Sequence, residues 1–146
     1  YNLGVTLREL GQIDAALKNY EKALAIKHEY PLAHNNLGSI LLDLGSLDSA
    51  ADHFEWAVAF KPDYPEAHNN LGIVEYKREK YDQAIKRFEK SIDIQPNFFQ
   101  AHSNLGNTLQ NIGQLDAAMT CYENALAINP DYSEALKGVQ RLKIST

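Results

Sequence analysis

Four asparagines, Asn2, Asn36, Asn70 and Asn104, stand 34 residues apart, each directly before a Leu-Gly pair. A carboxamide carries both a donor and an acceptor, so a row of them can pair with the N–H and C=O groups of an extended chain. Helical neighbours of these positions add Asn35 and Asn69, Ser39 and Asn107, and Lys77 and Asn111. Packed helices lie about 8 to 10 Å apart and an extended chain rises about 3.3 Å per residue. One asparagine per unit would therefore meet a ligand backbone about every three residues. Asparagine is a mediocre helix former, so its recurrence at one phase has no packing motive. Asn2, Asn36, Asn70, Asn104, Asn35, Asn69, Ser39, Asn107, Lys77 and Asn111 are the candidate peptide-binding groove. The bland alternative is that these amides bond within the scaffold or face water.

The other chemistry-bearing types converge less. His34, His68 and His102 recur once per unit, too far apart for nitrogens that must each lie near 2 Å from one ion. They are expected to be half-buried packing residues. No acid, thiol and histidine fall at nucleophile spacing, and no glycine-rich phosphate loop is present. A catalytic, metal or cofactor site is not expected, and the chain is read as a non-enzyme. Trp56 shares its slot with Lys22, Lys90 and Asn124, which predicts an exposed contact anchor on the outer surface. Cys121 shares its slot with Asn19, His53 and Arg87, which predicts an accessible thiol.

The elements that position these residues follow from the period. Glycines at 4, 38, 72 and 106 define units at 31–64, 65–98 and 99–132, preceded by a truncated unit at 1–30 and followed by a capping helix at 133–146. Within a unit Ala33, Leu37, Ile40, Leu41 and Leu44 share one helical face, Gly45-Ser46 interrupts, and Leu47, Ala50, Ala51, Phe54, Ala57, Val58 and Phe60 line a second helix. Gly11 and Gly113 match Gly45 as left-handed helix ends, while Glu79 replaces glycine there. Asp14, Asp48, Asp82 and Asp116 fall where they complement a helix N-terminus. Pro62, Pro96 and Pro130 end the second helices; His28 stands in that slot, so the first unit's second helix is expected to run slightly longer. Glycine inside a helix costs about 1 kcal/mol against alanine, and close helix approach is the compensating gain. Ala16, Ala50, Ala84 and Ala118 would face these glycines, beside Tyr20, Phe54, Phe88 and Tyr122. Glu75 and Arg78, replacing apolar residues, either pair or snorkel outward. In the last helix Gln140 takes the glycine slot, so no close approach is expected there.

Leu-Gly in one helix, then Ala50, Phe54, Ala57 and Pro62 in the next, repeated with fixed spacing, resembles the tetratricopeptide repeat pattern. That resemblance implies an all-α fold, an α-solenoid of helix-turn-helix repeats forming part of a right-handed superhelix, here as a single domain over 1–146, with first helices lining its inner surface. The Asn ladder is similar to the repeat region of O-linked N-acetylglucosamine transferases. The chaperone-binding class, which holds a C-terminal carboxylate with Lys and Arg, is a poor match, because those slots hold Asn35, Asn69 and Ser103 with Asn36, Asn70 and Asn104.

Composition narrows the partner. The 146 residues carry a formal net charge of -5 and no basic run, which argues against nucleic acid or an anionic membrane as partner. No apolar run approaches the roughly 20 residues of a spanning helix. The single cysteine excludes an internal disulfide and leaves the compartment undetermined, with the cytoplasm favoured. The chain begins inside a repeat and reads as part of a longer array. A protein or extended peptide partner is expected. Two rivals are a scaffold self-associating end to end through Leu3 and Leu7, and the substrate-recruiting part of a larger enzyme such as a glycosyltransferase.

Overall fold

The computed structural model describes residues 3–145, and side chains over 10–144. Asn2 lies outside the described residues, as do the side chains of Leu3 and Leu7. Among the described residues there are eight α-helices and no strand. The chain packs as two compact units, residues 1–62 and 63–146.

The first unit holds α1 (Leu3–Ile26), α2 (Pro31–Asp43) and α3 (Leu47–Phe60). α2 and α3 form a hairpin around Phe54, whose ring lies where a Cβ on Gly38 would be, 2.7 Å from Cε1. The hairpin turns at Gly45, whose φ of 83° is cheap only for glycine, and the Ser46 N–H closes the turn on the Leu41 carbonyl at 2.9 Å.

α1 departs from the expected hairpin. It runs unbroken through Gly11, so Asp14 sits in mid-helix and not at a helix start. Gly11-Gln12 repeats the residues of Gly113-Gln114, which do turn. The difference is therefore tertiary: the turn forms where the two arms bury a shared core, and none of residues 10–26 of α1 is buried. α1 ends at Ile26, at the same phase as Phe60, Ile94 and Ile128, so the missing proline does not lengthen it. Backbone bonding ends there without it, the Lys27 N–H reaching Ala23 at 2.8 Å.

The second unit holds α4 (Pro65–Lys77), α5 (Tyr81–Ile94), α6 (Phe99–Asn111), α7 (Leu115–Ile128) and α8 (Ser133–Ser145). Each packs on the next, and α6 also touches α4 and α8, so α4, α6 and α8 form one layer and α5 and α7 the other. Proline at the first position of α2 and α4 presets their backbone, and Asp48, Asp82 and Asp116 occupy the first turns of α3, α5 and α7. Glu79 holds the turn conformation at a φ of 60° without being glycine. Next to it the Arg78 guanidinium donates to Glu75 Oε1 at 3.2 Å, so the two charges pair.

Aromatic rings cover the glycines. A Cβ on Gly72 would lie 2.5 Å from Phe88 Cε1, and one on Gly106 2.8 Å from Tyr122 Cε1. A Cβ on Gly138 would also lie 2.5 Å from Tyr122 Cε1, so α8 does make a close approach, two residues before the Gln140 slot. Buried Ser91, standing where Ala is usual, donates to the Pro65 carbonyl at 2.8 Å.

Cys121 is buried, contrary to the accessible thiol expected from its slot, in the cluster with Ala84, Phe88 and Leu105. Its slot-mates are a poor guide because the side chains that bury it, Ala84 and Phe88 of α5 and Leu105 of α6, lie on other helices. Burial, with the Glu89 charge second, pushes its thiol up to about 11 from 9.0. Thiolate is the reacting form, so labelling at pH 8 should run about 100-fold slower than for an ordinary thiol. Native-state labelling with a maleimide checks this, and a rate equal to that of the urea-unfolded chain contradicts it.

Candidate functional site

The expected groove residues divide by burial. Asn36, Asn70, Asn104, Ser39 and Asn107 are half-buried, and Lys77 and Asn111 exposed, whereas Asn35 and Asn69 are buried. Those two therefore support the surface and do not form it. Asn36 belongs to the first unit, in a cleft of about 180 Å³ with Asn19, Tyr20, Tyr30 and Leu32. The better-formed site lies in the second unit on α6.

There the helical repeat sets Asn104, Asn107 and Asn111 on one face, at i, i+3 and i+7. Asn104 donates through Nδ2 to Oδ1 of buried Asn69 at 3.0 Å. Asn111 Nδ2 donates to the Tyr76 hydroxyl at 2.6 Å and to the Asn107 carbonyl at 3.0 Å. Asn107 uses its other end: Oδ1 accepts from the Tyr122 hydroxyl at 2.6 Å and from Arg141 at 3.3 Å. Burial pushes the Tyr122 phenol up against the opposing pull of Arg141, which keeps it a donor. The scaffold thus orients every amide, and each retains one end. Among the described residues Asn104 and Asn111 keep Oδ1 as acceptors and Asn107 keeps Nδ2 as a donor, an alternation matching that of a peptide backbone.

Two clefts flank this row and share Tyr76 and Asn107. One, about 510 Å³, is polar, with Gln110, Asn111, Glu134 and Arg141 on its walls. The other, about 210 Å³, adds Ile73, Phe88, Lys77 and Asn104 and suits an aliphatic side chain. Tyr76, Gln110, Tyr122 and Arg141 were missed in the sequence. A signal existed for Tyr122, a hydroxyl-bearing ring in the slot where Phe54 and Phe88 lack one.

Two of the histidines make the same structural bond, though His34 and His68 are buried and not half-buried as expected, and His102 alone of the three is half-buried. His102 Nε2–H donates to the Pro96 carbonyl and His34 Nε2–H to the His28 carbonyl, both at 2.8 Å and both six residues back. Each ties the start of a first helix to the end of the preceding helix. Trp56 is 45% exposed, yet its ring stacks on Phe60 at 5.5 Å and stands edge-on to His28 at 4.8 Å. No group of three His, Cys, Asp or Glu among the described residues could hold a metal ion, and no described helix is long and apolar enough to cross a membrane.

Known proteins share this architecture. The family description "TPR repeat" matches residues 4–45, 38–77 and 72–113, and "Tetratricopeptide repeat" matches 99–137. No curated protein matches significantly. Among solved structures, MamA is similar at 22% identity and a TM-score of 0.83, covering 99% of this chain and 85% of its own. YrrB, described as a TPR protein with an unusual peptide-binding site, matches at 22% identity and a TM-score of 0.74, over 96% of this chain and 72% of its own. The first TPR of Spaghetti (RPAP3), bound to the HSP90 peptide SRMEEVD, matches at 19% identity and a TM-score of 0.76, over 79% of this chain and 91% of its own. With family matches running from residue 4 to residue 137 and helices repeating in the same phase, this chain belongs to the tetratricopeptide repeat family.

Proposed function

We propose that the chain is a protein-interaction module that binds an extended peptide along α6, between α4 and α8, through the amides of Asn104, Asn107 and Asn111. The observation that carries this reading is the row of half-spent amides on α6, each fixed at one end by Asn69, Tyr122 or Tyr76 and unpaired at the other among the described residues. Pre-orientation lowers the entropy lost on binding. Backbone pairing leaves side-chain choice open except at the Ile73–Phe88 cleft, where an aliphatic residue is favoured, and beside Arg141, where an acidic or amide side chain fits. The peptide-bound RPAP3 relative and the peptide site ascribed to YrrB support a peptide partner for this fold. Asn70 on α4 and, separately within the first unit, Asn36 are further candidate peptide contacts.

The test begins with a peptide selected from a random display library on the intact chain. Asn104→Ala combined with Asn111→Ala removes two acceptors, each worth about 0.5 to 1.5 kcal/mol. Affinity for that peptide should fall about tenfold, read by fluorescence anisotropy. An unchanged affinity with a lowered melting temperature would assign these amides to the scaffold alone.

A further inference from the structure

A second polar cluster, outside the peptide site, lies in the first unit. His34 is 1% exposed. Because its Nε2–H is committed to the His28 carbonyl at 2.8 Å, its Nδ1 is a lone pair. That lone pair meets Nδ1 of His53 at 3.1 Å, so His53 supplies the single proton between them. The His28 ring stands edge-on to His34, 5.2 Å between centroids. One chain of contacts thus links α3, through His53, to α2, through His34, and on to the connection that ends α1.

The arrangement tolerates one proton and not two. With a second proton on His34 Nδ1, two donors face each other, and a cation sits in a position closed to water. The titratable groups around the pair are Glu21 from α1, His28 from the connection and Asp52 from α3; the facing side chains of α2, Leu37 and Leu41, carry no charge. Burial, the largest cause for both rings, holds His34 and His53 below their ordinary 6.5, on His34 against the raising pull of its own bond to the His28 carbonyl. On His53 the His34 and His28 rings add to this, and Asp52 and Glu21 oppose it. α1 is lightly held, since none of residues 10–26 is buried.

We propose that His28, His34 and His53 form a proton-operated latch on α1. A proton on His34 breaks its contact with His53 and draws the ring toward water, which gives up the tie to the His28 carbonyl and lets α1 leave α2. The sign follows from the lowered values. The released chain takes up protons near 6.5 while the latched one does not, so the latch is complete above that pH and weakens as pH falls below it. For two such groups the opening equilibrium rises by at most roughly 100-fold per pH unit.

Hydrogen exchange on the intact chain at pH 7.5 and 5.0, corrected for intrinsic rates, tests this. Protection over residues 17–30 should fall at least about tenfold at pH 5.0, ahead of residues 50–60 of α3. Trp56, the single tryptophan, touches His28 and should report the same transition in its emission. His34→Gln should flatten the pH response. His53→Gln keeps a donor toward His34 and should move the midpoint, which guards against a His34 variant that fails to fold. His102→Gln, which alters the same kind of carbonyl tie but has no such imidazole pair, should leave the response intact. The latch is refuted by unchanged protection of residues 17–30, by equal loss throughout α2 and α3, or by a full response surviving in both His34→Gln and His53→Gln.

Discussion

Tyr122→Ala is expected to destabilise the second unit by about 3 to 5 kcal/mol, the range for emptying a buried aromatic site. The ring is 0% exposed and fills the space between two glycines, its Cε1 lying 2.8 Å from a Cβ on Gly106 and 2.5 Å from one on Gly138. Neither glycine has a side chain to collapse into the void, so relaxation is poor and the cost belongs at the upper end. Urea denaturation followed by circular dichroism measures it; a midpoint within error of wild type would show that the ring is not the keystone of α6, α7 and α8. Tyr122→Phe separates the ring from its hydroxyl. It should cost only about 1 kcal/mol of stability, yet lower peptide affinity, because Asn107 loses its 2.6 Å partner and Gln110 its 3.0 Å one.

Gly72→Leu is the second large effect. Helix propensity favours the change by up to about 1 kcal/mol. Packing opposes it, since even the Cβ would lie 2.5 Å from Phe88 Cε1, and that ring is 1% exposed. Overpacking costs about 1 to 3 kcal/mol, more for a whole leucine in this contact, so the net is a loss. Adding Phe88→Ala should recover part of it, giving a double variant less destabilised than the sum of the two singles. Strict additivity in chemical denaturation would mean that Gly72 and Phe88 do not share the space.

The two variants probe what was easiest and hardest to read before the fold was known. Glycine at 38, 72 and 106 with an aromatic 16 residues on is a repeated pair of positions, and each pair turns out to be one contact. Gly138 breaks the period by two residues and escaped notice, although it packs as closely as any of them. The asparagine row was legible as surplus polarity at one helical phase. Which end of each amide is spent was not, because the partners Tyr76, Tyr122 and Arg141 come from other helices, 35, 15 and 34 residues away. For the same reason buried Asn69 looked equivalent to half-buried Asn70, and Cys121 looked accessible.

By itself, then, the sequence determined what depends on phase along the chain: helices beginning at 31, 65, 99 and 133, their apolar faces, and the turn glycines at 45 and 113. These follow from backbone geometry and burial of one stripe, which any identical unit repeats. Tertiary structure alone decided what depends on neighbours. Gly11-Gln12 and Gly113-Gln114 are the same dipeptide, yet one lies within the continuous α1 and the other forms a turn. A local sequence specifies which conformations are cheap, and packing against neighbouring helices selects among them.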